Sequence, residues 1–123
     1  MAKTILIVDD SSSLRSLVRM ALAREGYTVV EATDGKDALA KLAELPKVNL
    51  IVSDVNMPNM DGIAFLTQVK QHPRHKYVPV IMLTTENQNA KIQAGRAAGA
   101  KAWIVKPFAP PLLLEAVSKL VLA

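Results

Sequence analysis

The sequence predicts an α/β fold: a doubly wound (βα)₅ domain around a five-stranded parallel sheet. Three observations lead there. Five short apolar runs alternate with five helical stretches along the chain. The runs are continuous rather than alternating, which marks strands buried on both faces, as in a parallel sheet covered by helices. The chain has 123 residues, half of them hydrophobic. That length fits one domain with a sizeable core and needs no disulfide or metal staple.

The elements follow in order. Thr4–Val8 is a β-branched and aliphatic run, hence a buried strand. Ser11–Glu25 reads as a helix with Leu14, Leu17, Val18 and Ala21 on one stripe. Asp10 and the serines supply capping chemistry at its start, and Gly26 ends it. Thr28–Ala32 is the second strand. Gly35–Leu45 is a helix with Ala38, Leu39, Leu42 and Ala43 facing inward, stopped before Pro46. Asn49–Ser53 is the third strand. A turn-rich stretch, Asn56-Met57-Pro58-Asn59-Met60-Asp61-Gly62, leads into a helix carrying Ile63, Leu66 and Val69. Val78–Leu83 is the fourth strand, with Pro79 near its entry. Asn87–Ala98 is an Ala-rich helix closed by Gly99, and Ala102–Val105 a short fifth strand. Pro110–Leu122 is the last helix, with proline at its first positions and Leu113, Val117, Leu120 and Val121 on one face.

Composition narrows the function. The longest aliphatic run is Ile5–Val8, far short of a membrane span or a signal peptide. The absence of cysteine rules out a disulfide scaffold and favours a cytoplasmic location. The net charge is +4, but the cations are scattered, and the densest cluster, Arg74-His75-Lys76, falls in a loop. A solvated basic surface is the expectation, with no nucleic-acid partner.

Open parallel sheets bind ligands outside the carboxyl ends of their strands. The residues there are Asp9 and Asp10 after the first strand, Asp54 and Asn56 after the third, Thr84 after the fourth, and Lys106-Pro107 after the fifth. Taken singly, each has a plain structural alternative: a helix cap, a turn opener or a solvated lysine. Their joint placement on one rim is independent of the apolar runs that define the fold. Packed carboxylates repel and need a cation. Hard oxygen donors suit Mg²⁺. A carboxylate beside Mg²⁺ and an ammonium can act as a covalent nucleophile toward a phosphoryl group.

These residues resemble the receiver domains of two-component response regulators, most nearly the stand-alone chemotaxis type. The resemblance rests on Ile5-Leu6-Ile7-Val8-Asp9-Asp10, on Asp54-Val55-Asn56-Met57-Pro58-Asn59-Met60-Asp61-Gly62, on Leu83-Thr84-Thr85-Glu86, and on Gly99-Ala100-Lys101 leading to Lys106-Pro107-Phe108. It spans essentially the whole chain. It implies that Asp54 is the phospho-acceptor, Asp10 a direct Mg²⁺ ligand, Asp9 a ligand largely through water, and Asn56 the donor of a backbone carbonyl to the metal. It further implies that Lys106 pairs with Asp54 and then with the phosphoryl group, that Thr84 is the switch hydroxyl, and that the Lys106–Pro107 bond is cis. Asn56 and Glu86 fall where the family modulates phosphoryl lifetime. Trp103 falls on the switch-aromatic position, usually Tyr, Phe or His; an edge-strand tryptophan packed on the fourth helix is the alternative. Thr85 replaces a residue that is usually small, adding bulk beside the phosphoryl position. Ala109-Pro110-Pro111 replaces the usual polar start of the last helix.

The function expected is therefore a phosphorylation switch. A sensor histidine kinase donates to Asp54, and the surface of the fourth helix, fifth strand and fifth helix changes its affinity for a downstream protein or a phosphatase. One receiver domain over residues 1–123, no effector domain, and a monomer or weak dimer are expected. It is expected to be no enzyme beyond its own phosphorylation and dephosphorylation. A single-domain phosphorelay intermediate, passing the group to a histidine phosphotransfer protein, is the alternative. A haloacid-dehalogenase-like phosphatase is remote, because its D-x-D nucleophile motif after the first strand is missing. A flavodoxin-like cofactor binder shares the topology, yet two carboxylates sit where its phosphate loop belongs. DNA binding is not expected, since no helix-turn-helix or winged segment is read in the sequence.

Overall fold

The computed structural model describes residues 2–84 and 89–121 of the chain. Among them five strands and five helices alternate: β1 (Thr4–Val8), α1 (Ser12–Arg24), β2 (Thr28–Ala32), α2 (Gly35–Glu44), β3 (Leu50–Asp54), α3 (Gly62–Lys70), β4 (Val80–Thr84), α4 (Asn89–Ala98), β5 (Ala102–Val105) and α5 (Pro110–Leu120). The strands form one parallel sheet in the order β2-β1-β3-β4-β5. This is the flavodoxin-like topology, with its switch point between β1 and β3.

Strand pleating sends successive side chains to opposite faces and so builds two cores. Leu6 and Val8 of β1 join Ile51, Phe65, Leu66 and Met82 on the face covered by α2 and α3. Ile5 and Ile7 join Leu22, Val52, Leu83, Leu113 and Val117 on the face covered by α1 and α5. Among the described residues twelve large side chains are fully buried, a core that explains why the chain needs no covalent staple.

Among the described residues, side chains cap the starts of α1, α2 and α3. Ser11, Asp34 and Asp61 each accept a hydrogen bond from the amide three residues on, at 3.2, 2.8 and 2.8 Å. Asn59 takes a left-handed backbone, φ 69°, and its side-chain amide donates to Asp34 at 2.9 Å. The β3–α3 turn is thus tied to the start of α2.

Some expectations need correction. Leu17 is not part of the inward stripe of α1: it is 47% exposed, while Val18 and Leu22 are buried. Asp54 and Thr84 do not follow β3 and β4 but end them. The ladder runs one residue further than the apolar pattern, because Val55 donates to the Leu83 carbonyl and Lys106 to that of Thr84. The basic loop is not wholly solvated either. His75 is buried and its Nε2–H donates to the Leu42 carbonyl at 3.0 Å, while Arg74 donates to Ala43 and Leu45. These side chains satisfy carbonyls at the end of α2. None of the described helices is long and apolar enough to cross a membrane.

Candidate functional site

Because the strands are parallel, their carboxyl ends share one edge, and that edge gathers the acidic residues. Asp9 follows β1 and is fully buried. Its Oδ1 accepts from the Ser11 amide at 2.8 Å, a turn that opens α1. Asp10 is exposed at the rim. Asp54, at the end of β3, is 6% exposed. One carboxylate oxygen from each of Asp9, Asp10 and Asp54 lies within 4.8 Å of the others.

Lys106 reaches in. Lys106 Nζ lies 3.0 Å from Asp54 Oδ1 and 3.3 Å from Asp9 Oδ2. Lys106 follows β5 at a cis bond to Pro107, as expected. Burial alone would push the Lys106 ammonium down, but the hydrogen bond and charge of Asp54, with the charge of Asp9, outweigh it and hold it above its ordinary value. Burial raises the Asp54 carboxyl, and the charge of Asp9 adds to this against the opposing pull of Lys106. Three carboxylates and one ammonium leave two negative charges uncompensated in this cluster. That balance, and the all-oxygen donor set, fit a divalent hard cation.

Close packing shapes the floor. A methyl on Gly62 would stand 2.1 Å from the Asp54 carbonyl, so only glycine lets α3 start this near β3. Thr84 is buried at the end of β4, the strand next to β3, with Asp54 opposite Leu83 in register. Asn56 is exposed just beyond β3.

Trp103 lies on β5 opposite Met82 of β4. It packs against the α2/α3 core with its indole across Gly95 of α4, where a Cβ would lie 2.1 Å from Cζ2 and 2.4 Å from Cη2. Its buried Nε1 has no hydrogen-bond partner among the described residues. The tryptophan thus lies packed on the fourth helix, the alternative the sequence left open for it. Thr85 and Glu86 lie outside the described residues.

Arg15 and Glu31 carried no site signal in the sequence, yet they flank this edge. Arg15 Nη1 donates to the Asp9 carbonyl at 2.6 Å and its Nε to Glu31 at 3.3 Å. They lie on α1 and β2, and no local pattern pairs them.

The fold and this acidic edge define a class, and comparison with known proteins agrees. The response regulator receiver domain family matches residues 5–118, and the chain belongs to it. It is therefore a two-component signalling module. Its relatives include the chemotaxis protein CheY1 of Helicobacter pylori, 39% identical over 112 residues that cover 90% of each chain. The CheY homolog of Campylobacter jejuni is 37% identical, over 90% of this chain and 86% of that one. The crystallised chemotaxis protein CheY4 of Vibrio cholerae superposes with a TM-score of 0.92 at 42% identity, covering 98% of this chain and 99% of that one.

Proposed function

We propose that the chain is one receiver unit that takes a phosphoryl group from a histidine kinase onto Asp54 and signals through its α4–β5–α5 surface. The observation that carries this is the set Asp9, Asp10 and Asp54 within 4.8 Å, with Lys106 at 3.0 Å from Asp54. In the step, the nitrogen–phosphorus bond of the donor phosphohistidine breaks. A bond forms between an Asp54 carboxylate oxygen and phosphorus, and the imidazole leaves as the neutral base, its freed nitrogen taking a proton from solvent.

Asp9, Asp10, Asp54 and the carbonyl of Asn56 would hold Mg²⁺. When bound, the ion supplies positive charge to the phosphoryl oxygens, the main requirement of phosphoryl transfer. Lys106 holds Asp54 in place beforehand and supplies its own ammonium to the transferred group. The Thr84 hydroxyl donates to a phosphoryl oxygen. Burial of Asp54 keeps bulk water from the acyl phosphate. Thr85 and Glu86 tune access and lifetime.

The modification adds negative charge at the edge and draws Lys106 and Thr84 toward it, which biases the neighbouring α4 and β5. Chemotaxis relatives support a cytoplasmic switch of that pathway, read by a downstream protein and cleared by a phosphatase. The chain acts as a monomer or weak dimer and catalyses only its own modification and hydrolysis.

Intact-mass measurement after incubation with acetyl phosphate tests this. A single phosphoryl adduct is expected, dependent on Mg²⁺ and abolished in Asp54→Asn. A folded wild type that takes no adduct overturns the proposal.

A further inference from the structure

We propose that Arg15 is a positioning residue for the divalent-cation site, acting through the peptide that joins Asp9 to Asp10. This rests on the reading of the acidic cluster as a Mg²⁺ site. The Arg15 side chain is only 15% exposed and reaches from α1 back over the end of β1. Its Nη1 donates to the Asp9 carbonyl at 2.6 Å. That oxygen belongs to the planar unit that carries the Cα of Asp10, so holding it fixes the direction in which Asp10 leaves the strand.

The arginine is itself anchored. Its Nε donates to Glu31 Oε1 at 3.3 Å, and the other Glu31 oxygen pairs with Arg19 Nε at 3.2 Å. The Asp9 amide, on the other side of the residue, donates to Ala32 of the same strand, β2. The metal-facing end of β1 is thus tied to β2 through both its backbone N–H and its backbone C=O. Ser11 and Lys106 hold the two oxygens of the Asp9 carboxylate. The exposed Asp10 depends on the orientation of its backbone, and Arg15 sets one side of it. A planar fork can serve a carbonyl and a carboxylate at once; an ammonium is a point donor.

Charge and position predict opposite signs. A cation beside a divalent site repels the incoming ion, so on charge alone the loss of Arg15 would tighten Mg²⁺ binding. As a positioning residue its loss weakens binding, in the manner of groups that orient metal ligands from behind.

Calorimetric titration with Mg²⁺ alone, without any phosphodonor, separates the two. Arg15→Met keeps the aliphatic stem and is expected to weaken Mg²⁺ binding about tenfold. Arg15→Lys keeps the charge and is expected to recover only part of that loss. Arg24→Met removes an equal charge from the exposed last turn of the same helix, outside the Glu31 anchor, and is expected to bind as wild type does. Glu31→Gln, which frees the anchor of Arg15, serves if Arg15→Met does not fold, and is expected to weaken binding in the same sense. Equal or tighter binding by Arg15→Met, or an equal loss in Arg24→Met, overturns the role. A folded wild type that takes up no Mg²⁺ overturns the metal-site reading and this inference with it.

Discussion

Asp54 is a carboxylate pulled two ways. Burial and Asp9 favour its protonated form, while Lys106 at 3.0 Å favours the ionised one, and the balance is upward. An acid whose folded value is raised stabilises the fold below its ordinary range. That contribution is lost as pH rises through the folded value. Without metal at neutral pH, the ionised group therefore costs stability. Asp54→Asn is expected to melt higher than wild type in chelator at pH 7, with the gap closing on acidification; thermal melts across pH check this. This carboxylate was legible in the sequence as an acidic residue near a strand end. The opposing influences were not, because they come from residues on β1 and after β5. Gly95 makes a second case at this scale. The sequence shows Trp103 eight residues on, but the notch exists only when α4 lies on β5. A methyl there has no room beside the indole, and overpacking costs about 1–3 kcal/mol. Replacing a helical glycine by alanine returns about 1 kcal/mol. With a contact of 2.1 Å the clash wins, so Gly95→Ala is expected to destabilise and to shift the emission of Trp103, the one tryptophan of the chain. In a Trp103→Ala background the same change is expected to become neutral or stabilising, and a double-mutant cycle reads the coupling.

Elements end where their backbone groups find side-chain partners. Capping at the start of α1 was read from the local sequence, and the structure assigns that cap to Ser11. Asp34 at the start of α2 went unread, yet its carboxylate is held below its ordinary value, first by the Asp37 amide and then by Asn59. For an acid with a depressed value the stabilisation is present above its unfolded value and lost as pH falls through the folded one. Asp34→Ala is expected to lower the melting temperature at neutral pH. The difference from wild type is expected to vanish in acid below the ordinary carboxylate range, as melts at both pH values would show. The far end of α2 carries the opposite lesson. His75 is 33 residues from Leu42, and a basic tripeptide in a loop gives no sign that its histidine is buried. The strand ends moved by one residue for a similar reason. Apolar periodicity marks what is buried, whereas Asp54 and Thr84 are polar residues whose pairing depends on the neighbouring strand.

The whole molecule places its charge chemistry at one edge because all its strands point the same way. A ligand that binds only the folded state stabilises it by mass action, about 2.7 kcal/mol at a hundredfold excess over the dissociation constant. Mg²⁺ is expected to raise the melting temperature of the wild type, and chelator to reverse the rise. Asp10→Asn is expected to reduce it, and a scan against Mg²⁺ concentration reads all three. The sequence by itself determined the order of elements, the parallel sheet, the edge that carries the site and the acidic and basic residues on it. Those follow from short-range rules: side-chain period, caps, turn residues and the motif spacing around Asp9, Asp54 and Lys106. Only the tertiary structure decided that Asp9 and Lys106, 97 residues apart, meet at 3.3 Å. It also decided that Arg15 holds the backbone behind Asp9, that Trp103 lies over Gly95, and that His75 is buried. Each of these contacts joins separate elements, and their closeness is set by how helices seat on a twisted sheet rather than by any spacing along the chain.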